Sequence, residues 1–182
     1  MINSKNKGGE FERLISKDFD KWWQEIPGTF WRTKVSGGSD EPGDIAPRWR
    51  QQHTEKVWWP FVVECKHYKS FNLLNLFRVD KNKGNLLLQW WKQVTASQNE
   101  AIELGYKVIP LRLLIIRINT YPILCIFNFD EFEDNAKQSL PSLRKFDTYL
   151  KLYKSSEANL VITRFETFKE VFTKEYLERL FK

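Results

Sequence analysis

Trp58-Trp59-Pro60-Phe61-Val62-Val63-Glu64-Cys65-Lys66 is a run of large apolar and β-branched residues that ends in an acid and a base two positions apart. It reads as a buried strand with chemistry at its end. Side chains alternate across a strand, so Glu64 and Lys66 share one face, roughly 7 Å apart along it, while Cys65 turns to the other. Charged residues seldom follow a strand that is apolar on both faces unless they are paired or liganded. Two readings therefore fit the pair, a strand-end ion pair and a metal-and-water site. Glu-x-Lys alone is too short to choose between them.

On the N-terminal side, Phe11, Leu14, Ile15, Phe19, Trp22 and Trp23 recur at three- and four-residue spacing, which predicts an amphipathic helix from Gly9 to about Glu25. At about 100° per residue, Glu12 falls at the flank of the apolar stripe and can look toward the edge of the core, whereas Glu10 lies well away from it. Thr29 to Val35 has the β-rich look of a strand, and Ser36 to Gly43 is a loop of glycines, proline and small polar residues. Asp44-Ile45-Ala46 then starts a short strand, with Asp44 where loop meets sheet, either as a turn cap or as a functional acid. Arg48 to Lys56 is polar and basic, a hairpin connection into the organising strand.

On the C-terminal side, His67 to Gly84 mixes Lys69, Arg78, Lys81 and Lys83 with apolar residues without clean periodicity, which fits a mobile or substrate-contacting loop. Leu86 to Leu104 returns to helical spacing and stops at Gly105. Gln98 projects near the middle of its apolar stripe and Gln93 near the edge, so one or both should find polar partners at a buried boundary. Val108 to Ile118 and Tyr121 to Phe129 read as two strands joined at Asn119-Thr120. A short acidic helix from Asp130 to Lys137, a basic connection from Leu140 to Ser156, a last strand from Leu160 to Phe165 and a closing helix from Phe168 to Phe181 complete the chain.

The 182 residues are 42% hydrophobic and 15% aromatic, enough for one well-packed domain spanning 1–182 and too short for two comfortable ones. A net charge of +6 favours a polyanionic partner. The N-terminus lacks an apolar signal core and no run approaches the ~20 apolar residues of a membrane span, which points to a cytoplasmic protein with no membrane partner. Cys65 and Cys125 sit inside apolar runs as buried free thiols, and with only His53 and His67 besides, a structural zinc site does not fit.

The order of helix Glu12, loop-to-strand Asp44 and strand-end Glu64 with Lys66 resembles the PD-(D/E)xK nuclease superfamily. It is most similar to the small Holliday-junction-resolvase-like enzymes of archaea and phages, where an early helix carries a glutamate and a β-hairpin carries Asp…Glu-x-Lys. Lys7-Gly8-Gly9-Glu10-Phe11-Glu12-Arg13 matches the helical motif, Gly43-Asp44-Ile45 the second, with glycine in place of proline, and Val63-Glu64-Cys65-Lys66 the third. Trp90-Trp91-Lys92-Gln93, before a glycine-ended helix and an apolar strand, resembles the fourth, in which a glutamine supports the site. The Asp44-to-Glu64 hairpin is longer than in the compact archaeal resolvases.

The resemblance covers Lys7 to about Ile126. It implies an α/β, restriction-endonuclease-like core, a central mixed β-sheet flanked by helices in αβββαβ order, with residues 127–182 as C-terminal strand and helix additions. It also implies DNA as substrate and a catalytic set of Glu12, Asp44, Glu64, Lys66 and Gln93. Asp44, Glu64 and the Cys65 backbone carbonyl, with Glu12 added directly or through a water, would hold Mg²⁺ or Mn²⁺, hard cations that keep several waters. Lys66 would orient the attacking water or help deprotonate it, and the products would be 5′-phosphate and 3′-hydroxyl ends. Arg48, Arg50, Lys56, Lys69, Arg78, Lys81 and Lys83 flank this site on loops, as phosphate-positioning residues should. A homodimer is compatible with symmetric cutting of two strands. A sequence-specific restriction enzyme, a silent nucleic-acid-binding protein of the same fold and a partner-binding protein with an incidental basic surface are the competing readings.

Overall fold

The structure is a computed structural model that describes residues 4–33, 42–47, 57–69, 79–80, 84–105, 110–119, 121–138, 140, 150–155 and 158–182. The chain opens with α1 (Ser4–Trp22), followed by β1 (Phe30–Arg32), β2 (Ile45–Pro47) and β3 (Phe61–Tyr68). A small ribbon, β4 (Val79–Asp80) with β5 (Gly84–Asn85), leads into α2 (Leu86–Glu103). Next come β6 (Leu111–Ile118), β7 (Leu124–Asn128), α3 (Phe129–Asn135), β8 (Leu150–Ser155), β9 (Ala158–Arg164), α4 (Phe165–Val171) and α5 (Lys174–Phe181). Among the described residues, seven strands form one sheet in the order β1-β2-β3-β6-β7-β9-β8. Only the β3–β6 pair is parallel, and α2 is the crossover such a pair requires. This is the mixed α/β sheet that the motif order implies.

Strand alternation sorts the core into two layers. On β6, Leu111, Leu113 and Ile115 join Phe11, Ile15, Phe19 and Trp23 of α1 and the aromatics of α3, α4 and α5, whereas Leu114, Ile116 and Ile118 face Leu87, Trp90, Trp91 and Val94 of α2. β3 follows the same rule: Phe61, Val63 and Cys65 belong to the α1 layer, which leaves Glu64 and Lys66 on the α2 side. An acid thus occupies a sheet position whose parallel neighbour, Leu114, is fully buried.

Several expectations shift. The organising strand begins at Phe61, because Trp58 and Trp59 fold back on α1: the Trp23 and Trp59 rings lie 4.8 Å apart and Trp23 Nε1 donates to the Trp58 carbonyl at 3.0 Å. It also runs past Lys66 to Tyr68, so Glu64 is an interior residue of the strand. α1 starts at Ser4 and includes Gly8 and Gly9 despite their poor helix propensity. The basic connection from Leu140 to Ser156 contains β8, which pairs with β9, and β9 pairs with β7, so the C-terminal addition contributes two strands to that edge of the sheet where the sequence suggested one. The closing helix is two helices. Phe172 leaves helical geometry and the Thr173 side chain accepts from Tyr176 N, an N-cap that restarts the chain as α5. The stop after α2 is as read, with Gly105 at φ +77°. Cys65 and Cys125 are buried free thiols, and among the described residues no helix is long and apolar enough to cross a membrane.

Candidate active site

Asp44, the residue just before β2, and Glu64 on the neighbouring β3 are both buried, at 8% and 3% exposure. Their link runs through the backbone: Cys65 N–H donates to Asp44 Oδ2 at 2.8 Å, so the Asp44 carboxylate is fixed against the residue between Glu64 and Lys66. Asp44 N–H in turn donates to the Val63 carbonyl at 2.7 Å. The Glu64 carboxylate is held at both oxygens, by Ser97 Oγ from α2 at 2.9 Å and by Lys66 Nζ at 3.3 Å. Lys66 remains partly exposed, which leaves its ammonium at the boundary between the pair and solvent.

Glu12 reaches the same neighbourhood from α1, and its partner is Arg32 at the end of β1, a residue the motifs did not single out. Gly9 makes room for that contact, since a Cβ there would stand 2.9 Å from Arg32 Nη1. A second acid of α1, Asp20, does a different job: its two oxygens accept from Gly28 N and Phe30 N, each at 2.8 Å, and fix the entry into β1. The signal for Asp20 was its place two turns after Glu12 on the buried stripe. The electrostatics at Cys65 register the convergence. Burial pushes its thiol well above the usual range, the charges of Asp44, Glu12 and Glu64 push it further, and Lys66 opposes them.

Helix α2 presents Ser97 to Glu64, whereas Gln93 lies one turn earlier on the same face, exposed to solvent. Gln98 is buried as its stripe position suggests, but it serves elsewhere. Its amide donates to the Pro110 carbonyl at 2.7 Å and to Glu131, which also pairs with Arg112 at 3.1 Å. Arg112 reaches Thr95 at 2.9 Å and lies over the Trp91 ring, so this network docks α2 on the sheet. Of the basic residues proposed for phosphate contact, Lys69 is exposed just beyond β3; Arg48, Arg50, Lys56, Arg78, Lys81 and Lys83 lie outside the described residues.

Among the described residues, no three His, Cys, Asp or Glu side chains are grouped closely enough to hold a metal ion. Glu12 is drawn toward Arg32 and Glu64 toward Ser97 and Lys66. What remains is a smaller donor set, two buried carboxylates and the Cys65 carbonyl, all hard oxygens of the type that suits a cation keeping most of its waters.

A family profile described as "Phage putative PDDEXK endonuclease" matches residues 3–179. Neither a curated protein nor a solved structure matches the chain. The family match spans the hairpin acids, α2 and equally β8, β9 and the last two helices, and the chain belongs to this phage family of PD-(D/E)xK endonucleases.

Proposed function

We propose that the protein is a divalent-metal-dependent DNA endonuclease that leaves 5′-phosphate ends and acts on branched DNA, as a junction-resolvase-like or phage DNA-processing enzyme. The observation that carries the reading is the Asp44 carboxylate bonded to the Cys65 N–H, which sets one buried acid against the strand position between Glu64 and Lys66. Asp44, Glu64 and the Cys65 carbonyl would hold Mg²⁺ or Mn²⁺, with Glu12 acting through a water because Arg32 already engages it. When bound, such an ion supplies positive charge against the phosphate and makes a water a better nucleophile. Lys66, at the solvent boundary of the pair, holds and orients a water by hydrogen bonding and offsets charge that develops on the phosphate. Ser97 keeps Glu64 in one rotamer, and Gln93, one turn away on α2 and exposed, would support the site or orient the substrate.

The test is a panel of labelled four-way junctions, flaps, nicked and linear duplexes with Mg²⁺, Mn²⁺ or EDTA. Metal-dependent cutting that favours a branched substrate is the expected result. Cutting of linear duplex at one fixed sequence would move the protein to the restriction-enzyme reading, and binding without any cutting to the silent one.

Ser97→Ala should slow cleavage about tenfold and raise the Mg²⁺ requirement, the usual consequence of losing a group that orients a ligand. Gln93→Ala should slow cleavage while leaving the melting temperature in place, because the side chain is exposed; an unchanged rate would assign the whole contribution of α2 to Ser97. Neutralising Arg48, Arg50, Lys56, Lys69, Arg78, Lys81 and Lys83 one at a time should weaken DNA binding without regard to sequence. Each residue that contacts a phosphate should lower the slope of log K against log salt by about 1. Unchanged slopes would put the DNA path elsewhere.

A further inference from the structure

We propose that Thr33 is a positioning residue for Asp44, clamping the peptide that carries the acid where a glycine would otherwise leave it loose. The inference rests on the reading of Asp44 as a metal-holding group. Gly43 has φ +84°, in the left-handed region, and a Cβ there would stand 2.8 Å from the Val63 carbonyl and 3.2 Å from its nitrogen. Only glycine lets the chain pass β3 this closely, and proline, locked near φ −65°, could not take this conformation. Glycine gives passage at the cost of stiffness, since it is the residue with the widest choice of backbone states.

Thr33 offsets that freedom from just past the end of β1. Its hydroxyl donates to the Gly43 carbonyl and its N–H donates to the Asp44 carbonyl at 3.0 Å. The peptide between Gly43 and Asp44 is therefore gripped at both ends, its carbonyl by Thr33 and its N–H by the Val63 carbonyl at 2.7 Å. With the next carbonyl also held by Thr33, the backbone on both sides of the Asp44 Cα is anchored and its Cα–Cβ direction is set before any cation arrives. Thr33 is 1% exposed, so water does not compete for these bonds. The residue before it, Arg32, holds Glu12, so the end of β1 addresses the helix acid and the hairpin acid in turn.

The experiment compares Thr33→Val, which keeps the shape and loses the hydroxyl, with Thr33→Ser, which keeps the hydroxyl. Both are assayed per folded molecule on the DNA that the parental protein cuts fastest, with calorimetric Mn²⁺ binding as a second readout. Thr33→Val is expected to raise the Mg²⁺ concentration for half-maximal cleavage about tenfold and weaken Mn²⁺ binding similarly, with DNA affinity in EDTA unchanged. Thr33→Ser should stay near parental on every measure. A Thr33→Val protein that only melts earlier, with parental Mn²⁺ affinity and cleavage, would make Thr33 a purely structural residue, and equal impairment of Val and Ser variants would remove the hydroxyl as the agent. Asp44→Asn, run alongside, separates the two levels. If it cuts normally, the metal reading of Asp44 falls and this inference with it; if it is dead while Thr33→Val is parental, only the clamp is overturned.

Discussion

Asp44→Asn is expected to abolish Mg²⁺-dependent cleavage, by several orders of magnitude, in a protein that folds as well as the parent. The side chain keeps its size, and its remaining oxygen can still accept the Cys65 N–H that Asp44 Oδ2 accepts at 2.8 Å. Removing a charge from a site only 8% exposed also relieves desolvation, so the melting temperature should hold or rise. What is lost is the anionic oxygen that a hard divalent cation requires. DNA binding in Ca²⁺ or EDTA should persist or tighten, because one negative charge near the phosphate is gone. Were Asp44 only a turn cap, asparagine would serve nearly as well, at a cost below about 1 kcal/mol and with activity intact. Gel-shift affinity, calorimetric Mn²⁺ binding and cleavage measured on one preparation decide it, and parental cleavage by a folded Asp44→Asn protein would sink the metal site.

The parts of this fold that could be read beforehand are those in which one chain segment carries its own period. α1 and α2 announced themselves by apolar spacing, Gly105 by its role after a helix, and the β2–β3 hairpin by two acids and a lysine at family spacing. Glu12, Asp44 and Glu64 stand out as candidates for the same reason, since each sits in a contiguous motif. Ser97 and Arg32 were not. Their roles come from packing of α2 on β3 and of β1 on α1, contacts across 33 and 20 residues of sequence that leave no local trace. Gln93 stands out because an amide fits the resembled motif, whereas Ser97, a serine inside a helix, looks like any other small residue. The break at Phe172-Thr173 is invisible to apolar spacing, since Phe168, Phe172, Leu177 and Leu180 all reach the core on either side of it. There the signal was chemical, a threonine three residues ahead of the Tyr176 N–H that it caps. Tertiary contact likewise decided the start of β3, where Trp58 and Trp59 pack on α1 ahead of the strand.

Lys66→Met should leave a protein that still takes up the cation and no longer cuts, the opposite split from Asp44→Asn. Methionine keeps most of the apolar stem and removes the ammonium that lies 3.3 Å from Glu64 Oε2. Glu64 retains its bond from Ser97 at 2.9 Å, so its carboxylate stays where it is and becomes the more attractive to a divalent ion once the competing positive charge is gone. Mn²⁺ affinity is therefore expected to hold or increase. Cleavage should fall by roughly 10²- to 10⁴-fold, the range for losing a positioned group that orients a nucleophile or handles its proton. Lys66→Arg should recover little of it, because a planar guanidinium cannot reproduce a compact ammonium at the same point. The competing account makes Lys66 nothing more than the counter-ion of a buried acid. Breaking such a pair costs about 3–5 kcal/mol when both partners are buried and less here, where Lys66 is partly exposed, and the loss would appear as an early melt that added divalent cation reverses. On that account cleavage per folded molecule at saturating Mg²⁺ would match the parent. A folded, metal-saturated Lys66→Met protein that cuts at the parental rate would remove Lys66 from the chemistry and leave it as a partner of Glu64 alone.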